Sequence, residues 1–271
     1  MEQFRAYGTK PYTLVLLDGG PGLFGEVRPL AERLGKNYGI LMPLQHEKRI
    51  SQQVKKLDKI IEQHTHSPLI LIGWSSGALL ALHYASNTQK NLEKIVLIST
   101  PPLEEKYAKN IIKKREKRMS EKQLKIFQDL SKKLNTPNIE EKDDILKKIG
   151  EILTQIDNKN PTPTTNSEIT IDYEVYKSLW EEMEILRRKN TLIEDLKNIS
   201  CPVICIHGSY DPHPINGFDS QMRLHLQDYT LITLENCGHE PWIEKEKKDQ
   251  FYTTLQNIIK TTHRKNASKT F

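Results

Sequence analysis

The chain has 271 residues, 37% of them hydrophobic and 28% charged, with a formal net charge of +5. That length can bury one large core with an insertion, the polarity excludes a membrane bundle, and no apolar run approaches the ~20 residues of a spanning helix. So small a charge does not by itself argue for nucleic acid, and the first ten residues, with Glu2, Arg5 and Tyr7, do not read as a signal peptide, so a cytoplasmic protein is expected.

Six short apolar runs bounded by turn residues follow one another along the chain. They are TLVLLDGG from Thr13, GILMPL from Gly39, PLILIGWS from Pro68, EKIVLIST from Glu93, CPVICIHGS from Cys201 and YTLITLENCG from Tyr229. Their length and β-branching predict buried strands. Helical periodicity fills most of the gaps, over Leu23 to Asn37, Arg49 to His64, Ser76 to Thr88 and Trp242 to Thr262. Alternating strand and helix predicts an α/β fold, a mostly parallel sheet covered by helices on both faces. Right-handed crossovers then bring the C-terminal ends of the strands to one edge, where loops can converge on a site.

The alternation stops between Pro101 and about Ser200, which reads as an inserted helical lid. Residues 1–100 and 201–271 are left as the core. Glu104 to Lys148 is rich in Lys and Arg, and an amphipathic lid with a solvated basic face is the plainer reading of it. The alternative is a patch for acidic lipid or nucleic acid, centred on the cluster Lys113 to Arg118. Asp157 to Ser167 is a polar, proline-containing linker, and Ile171 to Lys189 is a second lid helix. The terminal HRKNASKTF is polar and is expected to fray. Three cysteines, Cys201, Cys205 and Cys237, cannot all pair, and CxxxC without a second pair is a poor zinc site. Buried free thiols, no metal and no other cofactor are expected.

The strongest signal for chemistry is Gly73-Trp74-Ser75-Ser76-Gly77, placed directly after the apolar run LILI and before the helix ALLALHYAS. A serine on so sharp a strand-to-helix turn is held in a strained backbone, and only glycine two positions to either side lets strand and helix close together. A serine hydroxyl needs a base, and the base needs a partner that orients it. Of nine histidines, His239 alone lies in a loop between the last strand and the last helix, at the edge Ser75 occupies. Asp211, in HGSYDP after the preceding strand, is the matching acid. Its other reading is a turn aspartate before Pro212. The oxyanion of a tetrahedral intermediate needs donors, for which the Ser76 amide and the Gly20 amide in Asp18-Gly19-Gly20-Pro21-Gly22 are the candidates, since Pro21 has no N–H. DGGPG lacks the lysine of a phosphate-binding loop and the dinucleotide spacing.

Together GWSSG, HGSYDP and GHEPW resemble the α/β-hydrolase superfamily across essentially the whole chain. The resemblance implies a serine hydrolase with Ser75 as nucleophile, His239 as base and Asp211 as orienting acid, acting through an acyl-enzyme on a small molecule or short peptide. DGGPG further resembles the HGGPG turn of proline iminopeptidases. Asp18 replaces that family's histidine, and Trp74 precedes the nucleophile where the family carries a tryptophan after it. Aminopeptidases of that kind need lid carboxylates for the substrate's ammonium group, for which Glu174, Glu181 and Glu184 are available, although surface pairing with Lys177, Arg187 or Arg188 is the plainer reading. Trp74, Trp180 and Glu181 are expected on the pocket wall. A carboxylesterase or thioesterase, and a noncatalytic binding protein on the same scaffold, are the alternatives. The chain also starts just before its first central strand, which implies reduced N-terminal edge strands.

Overall fold

The computed structural model describes residues 2–88, 92–163 and 169–261. In chain order its elements are β1 (Phe4–Tyr7), β2 (Tyr12–Leu17), β3 (Leu23–Phe24), α1 (Arg28–Leu34), β4 (Gly39–Pro43), α2 (Ile50–His64), β5 (Thr65–Trp74), α3 (Ser76–Asn87) and β6 (Leu92–Ile98). There follow α4 (Glu105–Glu116), α5 (Glu121–Leu134), α6 (Lys142–Asp157), β7 (Thr170–Ile171), α7 (Tyr173–Arg188) and α8 (Thr191–Leu196). The chain then returns through β8 (Val203–Gly208), α9 (Asp219–His225), β9 (Tyr229–Leu234) and α10 (Lys248–Lys260).

Seven strands form one sheet in the order β1-β4-β2-β5-β6-β8-β9. Only β1 runs antiparallel to its neighbour, with Phe4 opposite Pro43; the other pairs are parallel. After β2 the chain steps outward to β4, then returns to place β5 on the other side of β2. That reversal opens a crevice at the C-terminal ends of β2 and β5, where DGGPG and the serine turn both lie.

The period of two along the strands supplies both faces of the sheet. Val15, Leu17, Leu71 and Leu97 pack with α2, α3, α8 and α9. Leu14, Leu16, Ile70, Ile72, Val96 and Ile98 pack with α1 and α10. Because α3 is covered on nearly all sides, from Ser76 through Leu82 and again at Tyr84 and Ala85, its sequence is apolar and small rather than amphipathic. Lys94 is fully buried in β6 and reaches the end of α10, donating to the carbonyls of Ile258 and Thr261. It thereby satisfies carbonyls that the helix end leaves open.

The five helices between β6 and β8 do not form one body. Helices α5 and α6 share a small core of Met119, Phe127, Ile145, Ile149 and Ile156. By contrast Val175, Leu179 and Met183 of α7 and Leu192, Ile193 and Leu196 of α8 belong to the main core. Other differences from the sequence reading have local causes. Strand β1 was not expected, because four residues are too few to show a period. Helix α1 starts at Arg28, not Leu23: Gly25 has φ 103°, and Leu23–Phe24 pairs with Thr170–Ile171. Helix α10 starts at Lys248, not Trp242, because the buried Glu244 carboxylate accepts the amides of Gly238, Lys159 and Asn160 and holds the preceding chain in turns. The linker read over Asp157 to Ser167 is in part anchored, with Pro161 bridging to Glu244; its residues 164–167, like the tail from His263, lie outside the described residues.

Candidate active site

Ser75 sits between β5 and α3 with φ 52° and ψ −123°, a conformation that non-glycine residues rarely adopt. A Cβ on Gly73 would lie 2.3 Å from the Gly77 carbonyl oxygen, and one on Gly77 would lie 2.4 Å from that of Asp18. The turn therefore closes only with glycine at both positions. Backbone bonding fixes it from the sheet side, where the Ser75 amide donates to Ile98 O at 2.9 Å.

Loops at the ends of β8 and β9 bring Asp211 and His239 to this turn. His239 Nε2 is 3.0 Å from Ser75 Oγ, and its Nδ1 is 2.7 Å from Asp211 Oδ2. The other carboxylate oxygen serves the turn: Oδ1 accepts the His213 amide at 2.9 Å and the His213 Nδ1 at 2.7 Å. The two oxygens of Asp211 are thus divided, one on the His239 ring and the other on the turn that follows. Burial opposes its charge, but the surrounding imidazoles of His239, His213 and His207 outweigh that and hold the carboxyl well below its usual range. For His239, burial acts against the imidazolium, and the charge and hydrogen bond of Asp211 overcome it, raising its pKa. His213 is pushed down to about 4, by burial first, so it stays neutral beside its partner. No sequence pattern singles out His213, because its place on Asp211 comes from a turn two residues long. Trp74 donates its indole N–H to His239 O at 2.9 Å and thereby braces the loop carrying the imidazole.

The two candidate oxyanion donors are both turned elsewhere. The Ser76 amide donates to Gly19 O at 3.1 Å, and the Gly20 amide donates to Glu26 Oε2 at 2.5 Å. Asp18, fully buried, accepts the amides of Gly25 and Val27 at 3.0 and 2.9 Å, which brackets Glu26 and directs it at Gly20. Desolvation raises the Asp18 pKa to about 6. Burial, then the charge of Asp18, raises that of Glu26 well above its usual value.

A cavity of about 680 Å³ opens from Ser75 and His239 beneath α4, α6 and α7. Much of its wall is apolar, from Leu79, Ile111, Ile112, Ile149, Leu153 and Met183. Trp74 and Trp180 both line it, whereas Glu181 does not. Along α7 the positions facing the cavity are 176, 180, 183, 184 and 187, and residue 181 points a quarter-turn or more away. Glu184 is the glutamate of that helix on the wall, and it accepts the Trp180 indole N–H at 3.0 Å. Glu174 is exposed, near the start of α7.

The basic cluster of α4 is divided in its direction. Lys113 and Lys117 are exposed, while Lys114 and Arg115 of α4 and Arg118, two residues past its end, are half-buried. Lys114 Nζ donates to Asp211 O at 2.7 Å, and Arg118 to Tyr210 O at 2.6 Å, with its guanidinium 3.8 Å above the Tyr210 ring. Arg115 makes a forked pair with the buried Asp157, whose carbonyl accepts the His239 amide at 3.1 Å. Three inward cations thus tie α4 to the loops of both Asp211 and His239. Among the described residues, Asp211, His213 and His239 are the only group with metal-ligand atoms close together, within 4.8 Å. Both carboxylate oxygens already accept Nδ1–H groups, since an ionised carboxylate can only accept, so a cation there would have to break the chain to Ser75. All three cysteines are free, and burial raises each thiol pKa, Cys205 to about 12. Among the described residues no helix is long and apolar enough to cross a membrane.

The same architecture recurs in proteins of known structure. A monoacylglycerol lipase of Paleococcus ferrophilus aligns with TM-score 0.60 and 17% identity over 96% of this chain and 98% of its own. An esterase of Exiguobacterium antarcticum aligns with TM-score 0.66 and 16% identity over 95% of each chain, and MenH of S. aureus with 0.62 and 18% over 96% and 98%. Such identities establish the shared fold. No protein of curated function matches the sequence significantly. The family model for serine aminopeptidase, S33, matches residues 35–246, which takes in the serine turn, the Asp211 loop and His239, and the chain is accordingly an α/β-hydrolase, a member of the S33 serine aminopeptidase family.

Proposed function

We propose that the protein is a serine hydrolase that cleaves esters bearing an apolar acyl group, with α4 to α6 acting as a lid over the acyl chain. The observation that carries this is the hydrogen-bonded line from Ser75 Oγ through His239 to Asp211 at 3.0 and 2.7 Å, opening onto an apolar cavity. Ser75 Oγ attacks the ester carbonyl while its proton passes to His239 Nε2, and Asp211 stabilises the imidazolium that forms. Collapse of the tetrahedral intermediate sends the proton to the departing alcohol and leaves an acyl-Ser75. Water, deprotonated by the same imidazole, then attacks the acyl carbonyl and the acid is released.

An aminopeptidase would hold the substrate's ammonium with carboxylates in the cavity. Of those on its wall, Glu184 is engaged with Trp180, Glu240 with the Asn158 side-chain amide, Glu26 with Gly20, Asp157 with Arg115 and Glu32 with Arg28, while Glu105 and Glu151 line it as well. That engagement, and the apolar wall, favour an ester. The lipase and esterase among the similar structures agree with this choice.

The test is fluorophosphonate labelling together with turnover of p-nitrophenyl esters and aminoacyl amides. Wild type should be labelled and prefer esters, and Ser75→Ala should lose labelling and about 10⁴-fold or more in kcat. A folded wild type that reacts with no fluorophosphonate would point to a noncatalytic binding protein. A preference for aminoacyl amides would reject the ester assignment alone.

A further inference from the structure

A single peptide unit accounts for both diverted donors. In a trans peptide the C=O and N–H point in opposite directions. The Gly19 carbonyl faces Ser76 N at 3.1 Å, so the Gly20 N–H of the same plane faces away, towards Glu26 at 2.5 Å. Rotating that plane by about half a turn alters only ψ of Gly19 and φ of Gly20, and glycine tolerates both senses. The rotation would release the Ser76 amide and swing the Gly20 amide in beside it, so that two donors converge where the carbonyl oxygen now lies. A side chain at Gly19 would strike the Trp74 ring at 2.2 Å, which keeps this hinge free of Cβ atoms.

We propose that the Gly19–Gly20 peptide is a two-state switch that assembles the oxyanion site when it turns over, and that Glu26 is the positioning residue that sets its state through its own proton. The inference rests on Ser75 being the nucleophile. An ionised Glu26 can only accept, so it holds the Gly20 N–H and keeps the site closed. In its neutral form Glu26 carries an O–H, and after rotation this donates to the Gly19 carbonyl, which now faces it. The closed state therefore satisfies both groups of the peptide, the open state satisfies its carbonyl and leaves the Gly20 N–H for a substrate oxygen to accept, and the two differ in the protonation of one carboxyl.

The surroundings favour the proton. Asp18 lies on the same turn, Glu240 comes from the His239 loop, and Tyr176 of α7 lines the same cavity as Glu26. Of the cations lining the cavity, Arg28 pairs with Glu32, Arg115 with Asp157 and Lys109 with Glu105, Arg187 donates to the Pro102 carbonyl, and Lys147 lines it as well; the imidazoles of His239 and His213 are held by Asp211. Burial and two neighbouring carboxyl groups accordingly push Glu26 up. Asp18 grips the amides on either side of Glu26 and so holds its carboxyl against the Gly20 amide.

The consequence is a bell-shaped pH profile. Activity rises as His239 loses its proton and falls as Glu26 loses its own, by about tenfold per pH unit on the far side of each group's pKa. Glu26→Gln offers an acceptor and a donor at every pH, so the alkaline limb should disappear, leaving the variant about tenfold or more faster than wild type one to two units above the wild-type optimum. A second measurement uses the native chain: in a crystal structure of the fluorophosphonate adduct, the phosphonyl oxygen should lie between the amides of Ser76 and Gly20, with the Gly19 carbonyl on Glu26. An unchanged alkaline limb in Glu26→Gln, or an adduct in which the Gly19 carbonyl still faces Ser76 N, overturns the switch while leaving Ser75 as nucleophile. Failure of wild type to label at any pH removes the nucleophile and the switch together.

Discussion

The edge of the sheet and the helices above it hold their functional groups in different ways. Ser75, Asp211 and His239 each follow a parallel strand by one to five residues, so the pairing of β5, β6, β8 and β9 fixes their separation before any side chain is considered. The cavity wall has no such frame. Its shape depends on α5 and α6 packing around their own small core and on three cations in and just after α4 reaching back to carbonyls and a carboxylate below. Chemistry is therefore placed by backbone ladders, which resist change, and substrate choice by side-chain contacts, which can be altered one at a time.

The sharpest way to break this comparison is at the ladder-held end. Asp211→Asn keeps the size of the side chain but replaces an oxygen that accepts from His239 with an amide able to favour the wrong tautomer, and kcat should fall by about 10⁴-fold. Circular dichroism should remain native, because the sheet does not depend on that charge. The same substitution should flatten acid denaturation. A depressed carboxyl contributes stability above its unfolded pKa and loses it as pH falls through the lower, folded value, so the variant should lose less stability than wild type when brought to acid pH.

A smaller effect is expected where the two regions meet. Lys114 and Arg118 touch no reacting atom, yet both donate to carbonyls of the Asp211 loop. Replacing both with Met keeps their aliphatic stems and removes the donors. The Asp211 loop should then lose its tie to α4, with kcat down about tenfold, of the order expected for about 1.4 kcal/mol of lost positioning, while KM for a short ester changes little. If kcat is unchanged and only KM rises, α4 is no more than a wall.

The sequence carried the ladder-held part almost entirely. A glycine-flanked serine after LILI, and a histidine and an aspartate each following a β-branched run, are local patterns whose spatial meaning follows from parallel topology alone. The groups it did not disclose take their places from how turns and loops close. Glu26 reaches Gly20 because Asp18 bends the turn, His213 meets Asp211 through a two-residue turn, and Lys114, Arg115 and Arg118 look like any charged helix face until the loops beneath are in place. Glu181 failed as a wall residue for the same reason, since only the packing of Val175, Leu179 and Met183 into the core fixes which face of α7 sees the cavity.

The smallest predicted effect probes the wall itself. Trp180 is 41% exposed and stacks on Tyr176 at 5.7 Å between ring centroids, and it reaches the cavity from α7, so it can cover only the outer part of a bound chain. Trp180→Ala should lower kcat/KM for a long-chain ester by about three- to tenfold, as expected for about 1 kcal/mol of apolar contact, and for an acetate ester by less than about twofold. The ratio of the two, measured on one preparation, cancels errors in active-site concentration. Equal loss on both esters would mean that the indole acts through its bond to Glu184 on the whole of α7, and the division between a fixed edge and an adjustable wall would fail at that helix.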